Sequence, residues 1–309
     1  MLALHRAILA GLPADQKAVI ITTRELKSEY LKTFKKDFSA GRFRVYDGFT
    51  KVWDPQLQLY GNWARDFVPQ FIETSRGGRF VRFADSRLEA VKVVDKLFGA
   101  AGVPLVVSKL TFQFGNAMLD ANNILYTTQR VLRANPGVPQ AEIVKELRAR
   151  LNVADVIILP ELPDESTGHI DMFAKFVNVN TVVIADSGNA KKKKMLDSLA
   201  ALFARSEYRV LRAMNAEAGP EASVMSYTNS TIVNGTVFIP AYAAVDPKSE
   251  GVSAAQNRVY LERDEAAKRL YLGLGFKVVQ IPSRDIIKIG GAVHCMTREL
   301  PAAMPELRF

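Results

Sequence analysis

The sequence predicts an α/β fold assembled from repeated units, and two observations support this class. First, short β-branched runs alternate with amphipathic stretches along the 309 residues, which is typical of an α/β protein. Second, five hairpin-like segments each carry an unusual polar residue, at intervals of 54, 51, 58 and 66 residues. Because regular spacing of this length indicates a repeated supersecondary unit, we expect two or three strands and one helix per unit.

The polar residues that mark the five segments are Asp66, Asp120, Asp171, Asn229 and Cys295. Five units around a pseudo-axis would bring these polar tips together at one centre. An active site could then be built from distant pieces of the chain.

The individual elements follow from local patterns. Residues 1–13 predict a short helix rather than a signal peptide, because His5 and Arg6 interrupt the apolar run. The predicted strands are 18–23, 79–83, 103–107, 156–159, 181–184 and 277–281. The predicted helices are 86–100, 140–151, 192–203 and 263–274. No linker rich in Pro, Gly or Ser divides the sequence, so we expect residues 1–309 to form a single domain.

Composition excludes several classes of protein. Hydrophobic residues make up 48% and charged residues 24% of the chain, which excludes a disordered or collagen-like protein. No apolar run approaches the roughly 18 residues that a membrane span needs. The single cysteine, Cys295, cannot form an internal disulfide. With only three histidines, His5, His169 and His294, the sequence also excludes a cysteine-rich structural zinc site.

The net charge of +9 is spread along the chain. A basic protein is a candidate for binding nucleic acid, but the only dense run of lysines, 191–194, begins a predicted helix and is most simply a solvated helix start. We therefore expect neither nucleic acid nor a membrane as a partner. We expect a cytoplasmic location, or a secreted one if a leader was removed.

The segment 168–171 presents a histidine and a carboxylate. If it is a strand, His169 and Asp171 share one face, while Ile170 and Met172 point into the packing. Such a pair suits proton transfer beside a bound cation. A histidine and an aspartate on an exposed strand face explain this segment equally well.

The segment 290–299 contains the only thiol. Gly290 and Gly291 allow a ligand to approach the backbone closely. If the segment is extended, His294 and Cys295 face opposite ways, which makes His169 the realistic base for the thiol. The alternative is that Cys295 is a small buried hydrophobic residue.

Asp66 follows an aromatic and a basic residue. Its carboxylate could bind a cationic group, with Trp63 packing on the stem of that group. The simpler alternative is a surface element in which Arg65 and Asp66 are paired.

Taken together, these segments resemble the guanidino-group-modifying superfamily. Within it, the chain is similar to the family of bacterial agmatine deiminases and the Porphyromonas-type peptidylarginine deiminase. Residues 63–66 match the family pattern W-x-R-D, 164–171 match D-E-x-x-G-H-x-D, and 290–297 match G-G-x-x-H-C-x-T. The resemblance extends from about residue 18 to residue 301 and implies a five-bladed α/β propeller.

The resemblance also implies the chemistry, which needs no metal and no cofactor. Cys295 would be the nucleophile, Asp66 and Asp171 would bind the guanidinium, and His169 would transfer protons. A covalent thiouronium intermediate would be hydrolysed to a ureido product and ammonia. The chemistry is consistent with these residue types, because two carboxylates suit a forked planar cation and a thiolate suits a poor electrophile.

Several positions differ between the two branches of this family. Gln113 stands where the agmatine branch has a glutamate, and Gly115 with Asn116 resembles the peptidylarginine branch. Residues 226–234, which include Asn229, and residues 294–299 are also similar to that branch. Gly290–Gly291 and Asp164–Glu165 instead resemble the agmatine branch.

Arg87 aligns with the first of two arginines that hold a C-terminal carboxylate in the peptidylarginine enzyme, and the second is absent. A preference for C-terminal arginine is therefore not predicted. We expect Trp63, Gln113, Asn116, Asn229 and Arg87 to contact the substrate together with Asp66 and Asp171.

The sequence therefore predicts hydrolytic deimination of arginine in a peptide or protein, which yields citrulline and ammonia. The alternative is an agmatine deiminase, and a distant alternative is a non-catalytic basic protein that binds nucleic acid. The expected partner is an arginine-containing peptide or a small guanidino compound, and the chain could form a homo-oligomer.

Overall fold

The computed structural model describes residues 2–49, 63–75, 77–85, 88–216 and 224–301. Over these ranges, fourteen strands form five small sheets. No helix in these ranges combines the length and apolar character that crossing a membrane requires. Arg87 lies outside the described residues.

Four of the five sheets share one construction. Two antiparallel strands form a hairpin, one or two helices follow, and a third strand returns parallel to the second strand of the hairpin. In the part of the chain described, the remaining sheet, which is the first in chain order, contains only two parallel strands joined through helices. The repeated unit that the spacing predicts is therefore present, and the five-sheet α/β architecture is confirmed.

The units follow one another along the chain. The first comprises α1 (Leu2–Gly11), β1 (Ala18–Thr23), α2 (Arg24–Thr33), α3 (Lys35–Ser39) and β2 (Phe43–Phe49). The second comprises α4 (Ala64–Phe67), β3 (Gln70–Thr74), β4 (Gly77–Ala84), α5 (Leu88–Gly99) and β5 (Leu105–Thr111). The third comprises a 3-10 turn (Phe114–Asn116), β6 (Met118–Leu119), β7 (Ile124–Thr128), α6 (Arg130–Ala134), α7 (Gln140–Leu151) and β8 (Asp155–Leu159).

The fourth and fifth units complete the described chain. The fourth comprises a 3-10 turn (Ile170–Met172), β9 (Ala174–Asn178), β10 (Thr181–Asp186), α8 (Ala190–Arg205) and β11 (Arg209–Met214). The fifth comprises β12 (Thr231–Val233), β13 (Thr236–Ala241), α9 (Ala254–Leu272), β14 (Lys277–Pro282), α10 (Arg284–Ile287) and α11 (Val293–Met296).

The middle strands are continuous apolar runs because both of their faces are covered. Every residue of β10 from Thr181 to Ala185 is buried, and β13 is buried from Thr236 to Pro240. The helices that cover these sheets are amphipathic. In α7, for example, the buried residues Ile143, Leu147 and Leu151 recur every four positions along one face.

Most predicted elements lie where the sequence places them. The first strand, 18–23, and the helix 140–151 have the predicted bounds. The strand predicted at 103–107 instead spans Leu105–Thr111. The helix predicted at 263–274 begins at Ala254, nine residues earlier, because Ser253 and Gln256 form a capping box there.

The segments before the hairpins position the candidate site. In units two to five, the residues just before the first hairpin strand are α4, the two 3-10 turns and the turn 226–230. Asp120 does not belong to this set, so the expectation of a polar tip there is wrong. Its side chain accepts backbone N–H bonds from Asn122 and Ile124, at 2.9 and 2.8 Å, and thereby shapes the β6–β7 turn.

Candidate active site

Three of the segments converge at Gly115. A Cβ atom at this glycine would lie 2.5 Å from His169 Nδ1, 3.1 Å from Asp66 Oδ1 and 3.3 Å from Asp171 Oδ2. Only a residue without a side chain allows these three groups to approach so closely. The fold therefore brings together a carboxylate from the second unit and a carboxylate and an imidazole from the fourth unit, next to a glycine of the third unit.

Cys295 joins this cluster from α11 in the fifth unit. Its thiol is buried, lies 3.4 Å from Asp171 Oδ2 and accepts a hydrogen bond of 3.0 Å from Asn229 Nδ2. Burial, together with the negative charges of Asp171 and Asp66, raises the pKa of the thiol well above its ordinary value. The thiol therefore holds its proton firmly in the site as described.

Asn229 fixes the segment that carries the thiol. Its Oδ1 accepts backbone N–H bonds from Ala292 at 3.1 Å, His294 at 3.1 Å and Cys295 at 3.4 Å. The same side chain also donates to the sulfur through Nδ2. Asn229 thus sets both the backbone of α11 and the position of its nucleophilic atom.

We expect Asn229→Ala to destabilise the protein by about 3 kcal/mol, because three buried N–H groups lose their acceptor. Asn229→Asp keeps the acceptor oxygen but replaces the N–H donor with a negative charge. This variant should fold, yet it should react more slowly with alkylating reagents at Cys295. Denaturant unfolding and alkylation rates measure the two effects. Equal stability of Asn229→Ala and the wild type would contradict the assigned role.

Asp171 occupies the centre of the cluster. Its Oδ2 lies 2.7 Å from His294 Nδ1, while its Oδ1 is buried and has no hydrogen-bond partner among the described residues. Burial and the nearby charge of Asp66 raise the pKa of Asp171 to about 8. A buried acceptor with spare capacity next to a thiol is suited to binding a cationic N–H donor.

His169 lies between an amide and a carboxylate. Its Nε2 is 2.8 Å from Gln113 Oε1, and its Nδ1 is 4.0 Å from Asp66 Oδ1. Asp66 also accepts the backbone N–H of Gly115 at 3.1 Å. The imidazole is therefore held beside the two carboxylates, within reach of a group bound between them.

Two local expectations from the sequence are wrong. His169 and Asp171 do not share a strand face, because residues 170–172 form a 3-10 turn and the strand begins only at Ala174. The segment around Cys295 is not extended either. It forms the short helix α11, so both His294 and Cys295 reach the same Asp171 oxygen.

Trp63 and Asn116, which the sequence predicts to contact the substrate, lie in different surroundings. A Cβ atom on Gly291 would lie 2.8 Å from both Cys295 Sγ and Trp63 Cζ3, so the indole lies beside the thiol. Asn116 is buried, and its Oδ1 accepts the backbone N–H groups of Thr128 and Ile170, each at 3.2 Å. Asn116 therefore joins two site segments, and its described bonds are to protein backbone.

The sequence reasoning missed a group of charged residues behind the thiol. Arg65 donates from Nε to the carbonyl of His294 at 3.1 Å and forms an ion pair of 2.6 Å with Glu299. Burial and the cationic Arg65 and Lys175 lower the pKa of His294 well below its ordinary value. Arg65 is part of the W-x-R-D pattern, but the sequence suggested only a surface ion pair between Arg65 and Asp66.

A separate cavity of about 310 Å³ lies between the first unit, α4 and residues 296–300. Its lining is mainly apolar and includes Leu12, Ile20 and Phe67, but none of Cys295, Asp171, His169 and Asp66. The residues suited to chemistry therefore lie outside this cavity.

The fold and the motif order define a protein of the guanidino-group-modifying superfamily. A family model described as Porphyromonas-type peptidyl-arginine deiminase matches residues 14–301. The chain belongs to this family.

Individual relatives support the same assignment. The agmatine deiminase of Pseudomonas aeruginosa (strain LESB58) is 29% identical over 222 residues, which cover 61% of this chain and 56% of the relative. The chain therefore spans little more than half the length of that relative. The agmatine deiminase of Ectopseudomonas mendocina is 27% identical over 290 residues, covering 78% and 74% of the two chains.

Among solved structures, the C. jejuni agmatine deiminase superposes with a TM-score of 0.71 at 16% identity. The superposition covers 96% of this chain and 84% of that chain. At this identity, the likeness supports the fold.

Proposed function

We propose that the protein hydrolyses the guanidino group of a small amine such as agmatine, releasing ammonia and a ureido product. The observation that carries this proposal is the convergence of Cys295, Asp171, Asp66 and His169 around Gly115. The two relatives described above, both agmatine deiminases, support a small guanidino substrate.

The carboxylates suit the substrate. A guanidinium is planar, permanently charged and equipped with forked N–H donors, so two carboxylates satisfy it better than any neutral group. Asp171 offers its buried Oδ1, which lacks a partner among the described residues, and Asp66 lies close by. Because Asp171 Oδ2 is 3.4 Å from Cys295 Sγ, a guanidinium bound there has its central carbon near the sulfur.

The charge of the substrate also bears on the nucleophile. In the site as described, two aspartates raise the pKa of the thiol. A cation between them reduces their unfavourable effect on a thiolate and favours loss of the proton. The nucleophile is therefore formed mainly when the substrate is present.

The reaction then proceeds in two halves. The thiolate forms an S–C bond to the guanidinium carbon, and the C–N bond to the departing nitrogen breaks as His169 donates a proton and ammonia leaves. The resulting thiouronium is attacked by a water molecule that gives a proton to His169. The S–C bond breaks as the hydroxyl group of the adduct loses the second proton of the water to solvent, and the neutral ureido product leaves the thiolate behind.

Peptide-borne arginine is the second candidate. Three features of the sequence resemble the peptidylarginine branch: the Gly115–Asn116 pair, residues 226–234 and residues 294–299. The similarity to known agmatine deiminases favours a small amine over peptide-borne arginine, the substrate that the sequence alone predicts.

A direct substrate comparison separates the candidates. Agmatine, free arginine, an internally placed blocked arginine and a C-terminal arginine peptide are incubated with enzyme, and ureido product and ammonia are measured. We expect agmatine to give the highest kcat/KM. Higher turnover of either peptide would transfer the assignment to peptidylarginine deimination, and no product from any substrate would reject deimination.

Gln113 provides a further prediction. Its amide is neutral and contacts His169 Nε2 at 2.8 Å. In Gln113→Glu, a carboxylate would contact the same nitrogen and favour the protonated imidazole. Because the first half of the reaction needs the protonated imidazole, we expect the basic limb of the kcat/KM profile to move to higher pH by roughly one unit. Gln113→Ala serves as the uncharged control, and identical pH profiles for the wild type and Gln113→Glu would contradict the proposed proton transfer by His169.

A further inference from the structure

His294 is a buried histidine in contact with Asp171, and the proposed reaction assigns it no role. Its Nδ1 lies 2.7 Å from Asp171 Oδ2, although 123 positions separate the two residues in the chain. Its backbone is fixed as well, because the N–H donates to Asn229 Oδ1 at 3.1 Å and the carbonyl accepts from Arg65 Nε at 3.1 Å. The imidazole is therefore held against the carboxylate by contacts at three points.

The imidazole of His294 is the donor in this contact when Asp171 is ionised. Burial, with the nearby cations Arg65 and Lys175, keeps the pKa of His294 well below its ordinary value, so the ring is neutral and carries one N–H. A carboxylate has no hydrogen to donate. The ring proton is therefore on Nδ1 and is shared with Asp171 Oδ2.

The two oxygens of Asp171 have different surroundings. Oδ2 accepts from His294 Nδ1 and, at 3.4 Å, from the thiol of Cys295. Oδ1 is buried and has no hydrogen-bond partner among the described residues. A carboxylate can rotate about its Cβ–Cγ bond, so the donors that hold Oδ2 decide that Oδ1 is the oxygen left for an N–H of a ligand.

One of these two donors disappears when the thiol ionises. A thiolate has no S–H to donate, and its negative charge then lies beside Asp171 Oδ2. Within the ranges that the structure describes, His294 is the donor to Oδ2 that remains. Its N–H offsets part of the repulsion between the carboxylate and the sulfur, because a hydrogen bond to the charged form stabilises that form.

We propose that His294 is a positioning residue whose Nδ1–H holds Asp171 Oδ2, so that Oδ1 stays free to bind the guanidinium of the substrate while Cys295 reacts. The imidazole acts through Asp171 and does not touch the substrate. This inference rests on the proposed function, in which a guanidinium binds at Asp171.

Cys295→Ala is the background for the test, because it removes the S–H, leaves His294 as the donor to Oδ2 and prevents turnover. Titration calorimetry measures the Kd and the stoichiometry of agmatine binding in this background, alone and combined with His294→Asn or His294→Gln. The asparagine amide places an N–H close to the position of the histidine Nδ1, whereas the longer glutamine amide reaches the position of Nε2. Both replacements are neutral amides, so they differ mainly in where the donor lies.

We expect His294→Gln to weaken agmatine binding roughly tenfold, as for the loss of a hydrogen bond to a charged group, and His294→Asn to stay within about threefold of the background. The stoichiometry should remain near one agmatine per chain in both, because a folding defect lowers the number of competent sites and leaves their affinity unchanged. His5→Gln is the matched control. His5 lies in α1, with its Nδ1 2.8 Å from the Tyr30 hydroxyl, and its replacement should leave the Kd unchanged.

Equal Kd values for the His294→Asn and His294→Gln variants would overturn the proposal. If the double variants do not fold, the two single variants, which retain Cys295, are compared through KM for agmatine, and equal KM values would overturn it as well. A wild type without turnover, combined with binding that depends on His294, would reject the proposed hydrolysis and support this inference. Absence of agmatine binding to Cys295→Ala would overturn the inference itself.

Discussion

Cys295→Ala is expected to lower kcat/KM for the guanidino substrate by at least about 10⁴-fold, because the covalent step has no other thiol to use. The chain contains one cysteine, so no neighbouring thiol can replace it. The measurement is the formation of ureido product and ammonia at substrate concentrations below KM. Product formation within tenfold of the wild type would exclude Cys295 as the nucleophile.

The same variant should still bind the substrate. The substitution removes only the sulfur atom. The carboxylates of Asp66 and Asp171 and the amide of Asn229, which surround it, are retained. We therefore expect agmatine to raise the melting temperature of Cys295→Ala. Cys295→Ser is the isosteric control. It should bind agmatine but remain inactive, because a serine hydroxyl is a much weaker nucleophile than a thiolate at neutral pH.

Asp171→Asn is expected to lower kcat/KM by about 10³-fold, since it removes a buried charge that faces both the substrate site and the thiol. The amide occupies nearly the same volume, and the hydrogen bond from the Thr228 hydroxyl to the backbone carbonyl of residue 171 should persist. Thermal unfolding checks that the variant is folded, and steady-state kinetics measure the loss. Asp186→Asn, at an aspartate that pairs with Arg212 in the fourth unit, is a control at a distant ion pair. Comparable losses in the two variants would contradict a specific role for Asp171.

The pKa of Asp171 gives this prediction a pH dependence. Its folded value is raised to about 8, so below that pH the empty site contains a neutral carboxyl group that binds a cation poorly. Agmatine binding to Cys295→Ala should therefore tighten with rising pH, by up to about tenfold per unit, and level off above about pH 8. Titration calorimetry should detect proton release at pH 6.5. In the double variant with Asp171→Asn, the binding should lose this dependence, and an unchanged dependence would assign it to another group.

Much of the fold could be predicted because its elements depend on local patterns. A continuous β-branched run identifies β10, whose two faces are both covered, and an amphipathic pattern in which Ile143, Leu147 and Leu151 recur every four residues identifies α7. The start of α9 was missed by nine residues, since its first turns carry no regular apolar stripe and only the Ser253 capping box marks them.

The candidate site was predicted unevenly for a related reason. Residue order along the chain identified Cys295, His169, Asp171 and Asp66 through their motifs. It did not distinguish Asp120, which closes a hairpin turn, from Asn116, which joins two site segments.

The sequence by itself determined the class of fold, the family and the candidate reactive groups, because these depend on residue types at fixed spacing. Only the tertiary structure decided the orientation and the protonation state of those groups. Short turns at residues 170–172 and 293–296, rather than strands, direct Asp171, His294 and Cys295 to one point. Burial and neighbouring charges then set their protonation states, and both depend on contacts between residues more than a hundred positions apart.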